Sequence, residues 1–376
     1  MTRARKSQLK KLFRKRRVIV TVLLVGSALL STAILFMSGR GDVTLAQDLL
    51  LSGKRPSVPN IDRALLDLDV IRERLNTMQL NSSLVTVKPS SDLPLDLSRT
   101  WNETRIIYNR VDKSGSRSLL YTFRRLRVEN GFIHNQSRIY LKPNLTLSEQ
   151  RDLVAEVQSL RPPFIFDRHL HYVDFNIFGA RAPSWINLIR EPLPRLISRY
   201  YFKRYGDEFQ QGPRMGFNGT EEDINQSFDD CVLLDKHECS EEGGFLVVPY
   251  FCGQEPACQK PSRWALEKAK QNVVEKFAFV GILEDFNSTL IVLEKMFPQF
   301  FKGLYRTYKH VKYKVFRYRS STKTETSSVA MAIMRSRLGL EYEFYEFVRD
   351  RLEIIKKQLN ISFTEPNQKK KGPRSK

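Results

Sequence analysis

The sequence predicts an α/β domain built on a mainly parallel sheet. Three observations carry that reading. Short β-branched and aromatic runs alternate with segments of helical period, the first such run passes through a small-residue loop into a helix, and no internal repeat is present. With 41% hydrophobic and 11% aromatic residues, and only 18 Gly and 17 Pro in 376 residues, disordered and collagen-like chains are excluded.

The residues ahead of this domain define a topology. Residues 1–17 carry nine basic residues and no acid, and Val18–Met37 then runs for 20 residues without a charge, enough to cross about 30 Å of hydrocarbon as a helix. A cleaved leader would have a shorter apolar stretch and a small-residue cleavage site, and Phe36-Met37-Ser38-Gly39-Arg40 is a poor one. The expectation is a cytoplasmic tail at 1–17, a transmembrane signal anchor at 18–37 and a translocated remainder. Residues 38–100 read as a stem, with Ile61, Leu65, Leu68, Leu75 and Met78 at helical spacing.

Two features agree with translocation. Sequons begin at Asn81, Asn102, Asn135, Asn144, Asn218, Asn225, Asn287 and Asn360. Cys231, Cys239, Cys252 and Cys258 have spacings unlike a zinc knuckle, so two disulfides are expected in an oxidising lumen. Sequence alone allows three pairings; Cys231–Cys239 with Cys252–Cys258 is favoured.

The folded domain is expected at 101–360, followed by a basic tail at 361–376. Arg105–Val111 reads as a strand, residues 112–118 as a loop and Leu119–Asn130 as a helix. Leu147–Leu160 is helical and leads to a buried strand at Phe164–Phe166. Trp185–Ile189 is a strand entering a helix through Leu193–Arg204. Phe277–Ile282 is a strand between the helices Ala265–Lys276 and Ser288–Phe297, and Val329–Lys357 is helical to the end.

The loop Lys113-Ser114-Gly115-Ser116-Arg117-Ser118 sits where unpaired helix-terminal N–H groups meet a lysine and hydroxyl donors, a place for an anion. It is not a Walker A loop, which needs G-x-x-x-x-G-K-[ST]. A second cationic point occurs at Arg190, where a strand ends, with Arg195, Ser198 and Arg199 on the next helix. Arg190 and Ser198 are suited to a second phosphate. His169 and His171 alternate after Asp167; on a strand they would face one side, as bases or, with Asp167, as metal ligands.

The two anion-binding segments resemble the phosphate clamps of sulfotransferases. The likeness extends through Tyr108-Asn-Arg-Val111, Arg168-His-Leu-His171, Tyr201-Phe-Lys-Arg-Tyr-Gly-Asp207, Pro249-Tyr-Phe-Cys-Gly-Gln254, Trp264-Ala-Leu-Glu-Lys-Ala-Lys270, Val280-Gly-Ile-Leu-Glu284 and Glu341-Tyr-Glu-Phe-Tyr345. It is similar to the uronosyl 2-O-sulfotransferases, on the dermatan/chondroitin uronyl and Pipe side rather than the heparan sulfate side. The resemblance implies a P-loop-like sulfotransferase domain in the Golgi membrane, using 3′-phosphoadenosine 5′-phosphosulfate on a glycosaminoglycan-like acceptor. It also implies a homotrimer and supports the favoured disulfide pairing. By the same resemblance Lys113 contacts the sulfuryl group, residues 114–118 cradle the 5′-phosphosulfate, and Arg190 and Ser198 hold the 3′-phosphate. His171 is the general base, His169 its neighbour in the acceptor site, and Arg110 an acceptor-carboxylate contact. The chemistry suits these residue types without a metal.

Two departures stand out. Asp112 lies where relatives carry a small residue or proline, and Glu191 replaces an aspartate. The net charge of +21 is concentrated. Beyond the N-terminal cluster it lies mainly in Lys369, Lys370, Lys371, Arg374 and Lys376 and in residues 302–323, which hold eight basic residues and no acid, interleaved with tyrosines. In a cytosolic protein that strip would suggest nucleic acid. Lumenal topology removes that partner and leaves an acidic glycan or the donor, with Lys323 and Thr324 as candidate donor contacts.

Overall fold

The computed structural model describes residues 101–139, 142–207, 210–214, 217–315 and 324–361. The expected anchor at 18–37, the stem with Asn81 and the tail from 362 onward lie outside them. Among the described residues no helix is long and apolar enough to cross a membrane.

A five-stranded sheet forms the centre. Its strands are β1 (Arg105–Asn109), β2 (Ile133–Gln136), β3 (Phe164–Arg168), β4 (Ser184–Ile189) and, after a two-residue ladder of β5 (Gly206–Asp207) with β6 (Gln210–Gln211), β7 (Phe277–Ile282). The order β2-β3-β1-β4-β7 is parallel throughout. The strands β3, β4 and β7 are buried along their whole length, so they read as near-continuous apolar runs rather than alternating ones. From β1 the chain goes to the far edge and returns, then crosses to β4, which creates a crevice outside the carboxyl ends of β1 and β4.

Helices complete the layers: α1 (Ser116–Glu129), α2 (Leu147–Ser159), α3 (Pro192–Tyr205), α4 (Arg263–Glu275), α5 (Phe286–Met296), α6 (Leu304–Val315), α7 (Ser328–Arg337) and α8 (Gly339–Gln358). Helix α1 buries Leu119, Leu120, Phe123 and Leu126, spaced as one face requires. Thr146 and Glu149 form a capping box at α2, and Pro192 opens α3 where its missing N–H costs nothing. A satellite core of Leu193, Leu196, Tyr200, Tyr201, Phe228, Val232, Met334 and Leu338 surrounds one disulfide. The bonds are Cys231–Cys239 and Cys252–Cys258.

Two expectations change. The segment 329–357 is two helices, broken at Leu338, which leaves helical geometry and turns its side chain into the satellite core just before Gly339. The strand carrying Asp167 stops at Arg168, so His169 and His171 sit beyond it on irregular backbone rather than alternating on a strand. Asn102 is only 8% exposed: its amide nitrogen donates to the Ala182 carbonyl, and its oxygen accepts from the N–H groups of Thr104 and Arg105. Those bonds make Asn102 a turn-forming residue. The other described sequon asparagines are at least partly exposed.

Candidate active site

One side of the crevice is the turn from β1 into α1. Gly115 has φ +80°, and a Cβ there would lie 2.5 Å from Leu283 Cδ1, so both backbone and space require glycine. Lys113 also takes positive φ, at +60°, a conformation that costs an ordinary residue energy and must be held by its surroundings. Three arginines hold it. Arg190 donates to the Lys113 carbonyl at 3.4 Å, and Arg195 and Arg199 each meet one oxygen of Asp112 at 3.0 Å. Burial works to raise the Asp112 carboxyl, but Arg199, Arg195, His169 and Lys113 outweigh it and keep the group below the ordinary carboxylate range. Asp112 therefore stays ionised, with its charge offset by two guanidiniums before any donor arrives.

Side chains converge around one ring. The Lys113 ammonium lies 3.8 Å from the centroid of Phe202, with the guanidiniums of Arg117 at 5.4 Å and Arg214 at 5.1 Å. Arg117 also pairs with Asp207. Ser114, Ser116 and Ser198 are buried, and Ser118 is partly so. Thr324 meets the Tyr201 hydroxyl, and Lys323 lies outside the described residues.

Across the crevice, polar side chains fix the segment after β3. Asn109 donates to the carbonyls of Leu170 and Tyr250, and Gln254 donates to the carbonyl of His171 at 2.9 Å. The Nδ1–H of His169 donates to the Arg110 carbonyl at 2.8 Å, which places that ring's lone pair on Nε2. Burial is the main cause that lowers its pKa to about 4, helped by Arg110 and opposed by Asp112. His171 packs against Tyr250 and is pushed down to about 3 by burial. Gln259 donates to Nδ1 of His171 at 3.3 Å and to the Gly253 carbonyl at 3.2 Å, so the proton of neutral His171 sits on Nε2.

Beneath both sides lies a buried ionic group. Asp167 accepts from Arg110 at 2.9 Å and meets His134 Nε2 at 2.7 Å. This answers why an acid interrupts an apolar strand: a buried carboxylate needs partners. It also commits part of the Arg110 guanidinium, while the buried Arg110 Nε has no hydrogen-bond partner among the described residues. Sequence reasoning missed His134, Phe202, Tyr250 and Gln259. The one available signal was Asp167 itself, since the other residues lie far from it in sequence or carry no charge.

A lysine-bearing turn at a helix N-terminus, a strand-end arginine and two buried histidines thus meet at the carboxyl ends of a parallel sheet. The chain belongs to the sulfotransferase family, whose model matches residues 99–348. It is 38% identical over 266 residues to the uronyl 2-sulfotransferase of Mus musculus, covering 69% of this chain and 64% of that protein, and 37% identical to the Homo sapiens protein over the same length. It is 32% identical over 274 residues to heparan sulfate 2-O-sulfotransferase 1 of Gallus gallus, covering 71% of this chain and 75% of the relative. The chain thus spans less than two thirds of the uronyl 2-sulfotransferases it matches.

Proposed function

We propose that the protein transfers a sulfuryl group from 3′-phosphoadenosine 5′-phosphosulfate to the 2-hydroxyl of a uronic acid in a glycosaminoglycan or related glycan. The observation that carries this reading is the placement of the Lys113 turn beside the histidine pair at the carboxyl ends of adjacent parallel strands. Lys113 and the helix N-terminus stabilise charge moving onto the leaving phosphate, which fixed cations do without reorganising. Arg190 and Ser198 hold the 3′-phosphate. A base at His171 takes the hydroxyl proton, with His169 orienting the sugar.

The tautomers support a second assignment. His171 holds its proton on Nε2 under Gln259, whereas His169 carries its lone pair there, so His169 is the base unless Gln259 turns. Single variants decide: the base variant abolishes the acid limb of the pH–rate profile, and the other mainly raises acceptor KM.

The remaining parts of the proposal are a type II Golgi membrane enzyme, a homotrimer and a metal-independent reaction. A non-catalytic glycan-binding role would follow if Asp112 repelled the donor, but its ion pairs with Arg195 and Arg199 favour catalysis. Calorimetry with adenosine 3′,5′-bisphosphate tests this reading; absence of binding would overturn it.

A further inference from the structure

The cationic strip beginning at Lys302 has no part in the catalytic proposal. Its described portion folds as α6, which buries Leu304 and Val311 and exposes Arg306, Lys309 and His310, with Lys302 exposed just ahead. Asn130, the C-cap of α1, donates to the carbonyls of Phe300 and Lys302 at 2.8 and 3.1 Å. Helix α6 therefore starts beside the end of α1, packs along it and runs back toward the donor turn. Helix α1 exposes Arg124, Arg125 and Arg127.

These cations are oriented by neutral groups. Arg124 donates to Gln136 at 2.7 Å, Arg125 reaches Tyr121, and Lys309 lies 5.1 Å from the Tyr305 ring centroid. Among the described residues no carboxylate pairs with Arg124, Arg125, Arg127, Lys302, Arg306 or Lys309. Of the nearby acids, Glu129 is exposed on the last turn of α1, and Glu294 accepts from the backbone N–H groups of Gly303 and Tyr305. Exposed cations elsewhere do find acids, as in Arg263–Glu343 and Arg349–Asp350. A face that keeps its cations clear of carboxylates has charge to offer a polyanion.

We infer that the outer faces of α1 and α6 form a track for a linear acidic polysaccharide, holding the acceptor chain outside the crevice while one of its sugars is processed. The inference rests on the proposed function and adds a second contact region to it. The 14 residues of α1 give the track a length of about 21 Å leading away from the Lys113 turn, so a polymer seated in the crevice covers more of it than a tetrasaccharide does.

The test uses the full chain in detergent, a variant combining Arg124→Glu, Arg125→Glu, Arg306→Glu and Lys309→Glu, and a second with glutamine at the same positions. The probes are dermatan sulfate polymer and a tetrasaccharide derived from it. For both variants, KM for the polymer should rise about tenfold and its salt dependence should flatten, as expected when counterion-releasing contacts are removed. The kcat should stay unchanged, and the tetrasaccharide KM should rise much less than that of the polymer. An unchanged polymer KM, or equal rises for both probes, overturns the track. Polymer binding measured by elution salt needs no turnover. If wild type binds but sulfates neither probe, the proposed function fails, and the track then stands or falls on whether the variants elute at lower salt.

Discussion

On one side of the crevice, the cations Lys113, Arg117, Arg190, Arg195 and Arg199 are held in place by Asp112, Asp207, a carbonyl and the Phe202 ring. On the other side, burial lowers the pKa of His169 to about 4 and of His171 to about 3, which keeps both rings neutral. In the proposed reaction, one wall meets charge that exists in the ground state and grows, and the other receives a proton only when the hydroxyl reacts. The difference shows how one parallel sheet builds two unlike walls: β1 leads into a glycine turn and a helix N-terminus, β3 into a buried irregular segment.

The comparison breaks most sharply at Lys113. Lys113→Ala should lower kcat on the order of a thousandfold with the thermal midpoint unchanged, measured by labelled-sulfate transfer; a loss under tenfold would remove the lysine from the reaction. At the shared base of both walls, Asp167→Ala leaves Arg110 buried and unpaired and should cost about 3–5 kcal/mol in chemical denaturation. Near-wild-type stability would show that the ionic group is replaceable. Across the crevice, Ala at the true base should cost about a hundredfold or more in kcat. Gln259→Glu, offering His171 an acceptor in place of a donor, should raise the pH of the acid limb only if His171 is that base.

Acidification sharpens the same contrast with a smaller effect. Both histidines have folded-state pKa values below the ordinary ~6.5 of an unfolded chain. The unfolded chain therefore binds more protons as pH falls from about 6.5 toward 4, and stability that is complete above that window declines through it. Thermal midpoints at pH 7 and 4.5 should differ more for wild type than for His171→Gln. Equal differences would mean that burial does not hold His171 neutral. At mildly acidic pH both imidazoles are thus already deprotonated, unlike a histidine titrating near its ordinary value.

Much of the sheet was legible because fully buried parallel strands are apolar runs bounded by turn residues, as at Phe164 and Phe277. β2 was not, since a four-residue edge strand containing His134, Asn135 and Gln136 lacks that signature. Helix α6 was obscured by its own charge. In the candidate site, glycine, lysine and arginine at strand ends were readable because local backbone geometry demands them. Gln259, Tyr250 and Phe202 were not, because their roles arise from ring contacts and hydrogen bonds between distant segments. Asp112 read in sequence only as a departure from relatives; the fold brings Arg195 and Arg199 onto it.

The most direct measurement is labelled-sulfate transfer from 3′-phosphoadenosine 5′-phosphosulfate to dermatan, chondroitin and heparan acceptors, with disaccharide analysis of the products. The account predicts label on the 2-hydroxyl of a uronic acid with wild type and none with Lys113→Ala. Label confined to hexosamine, or no transfer by a wild-type chain that binds adenosine 3′,5′-bisphosphate, would contradict it.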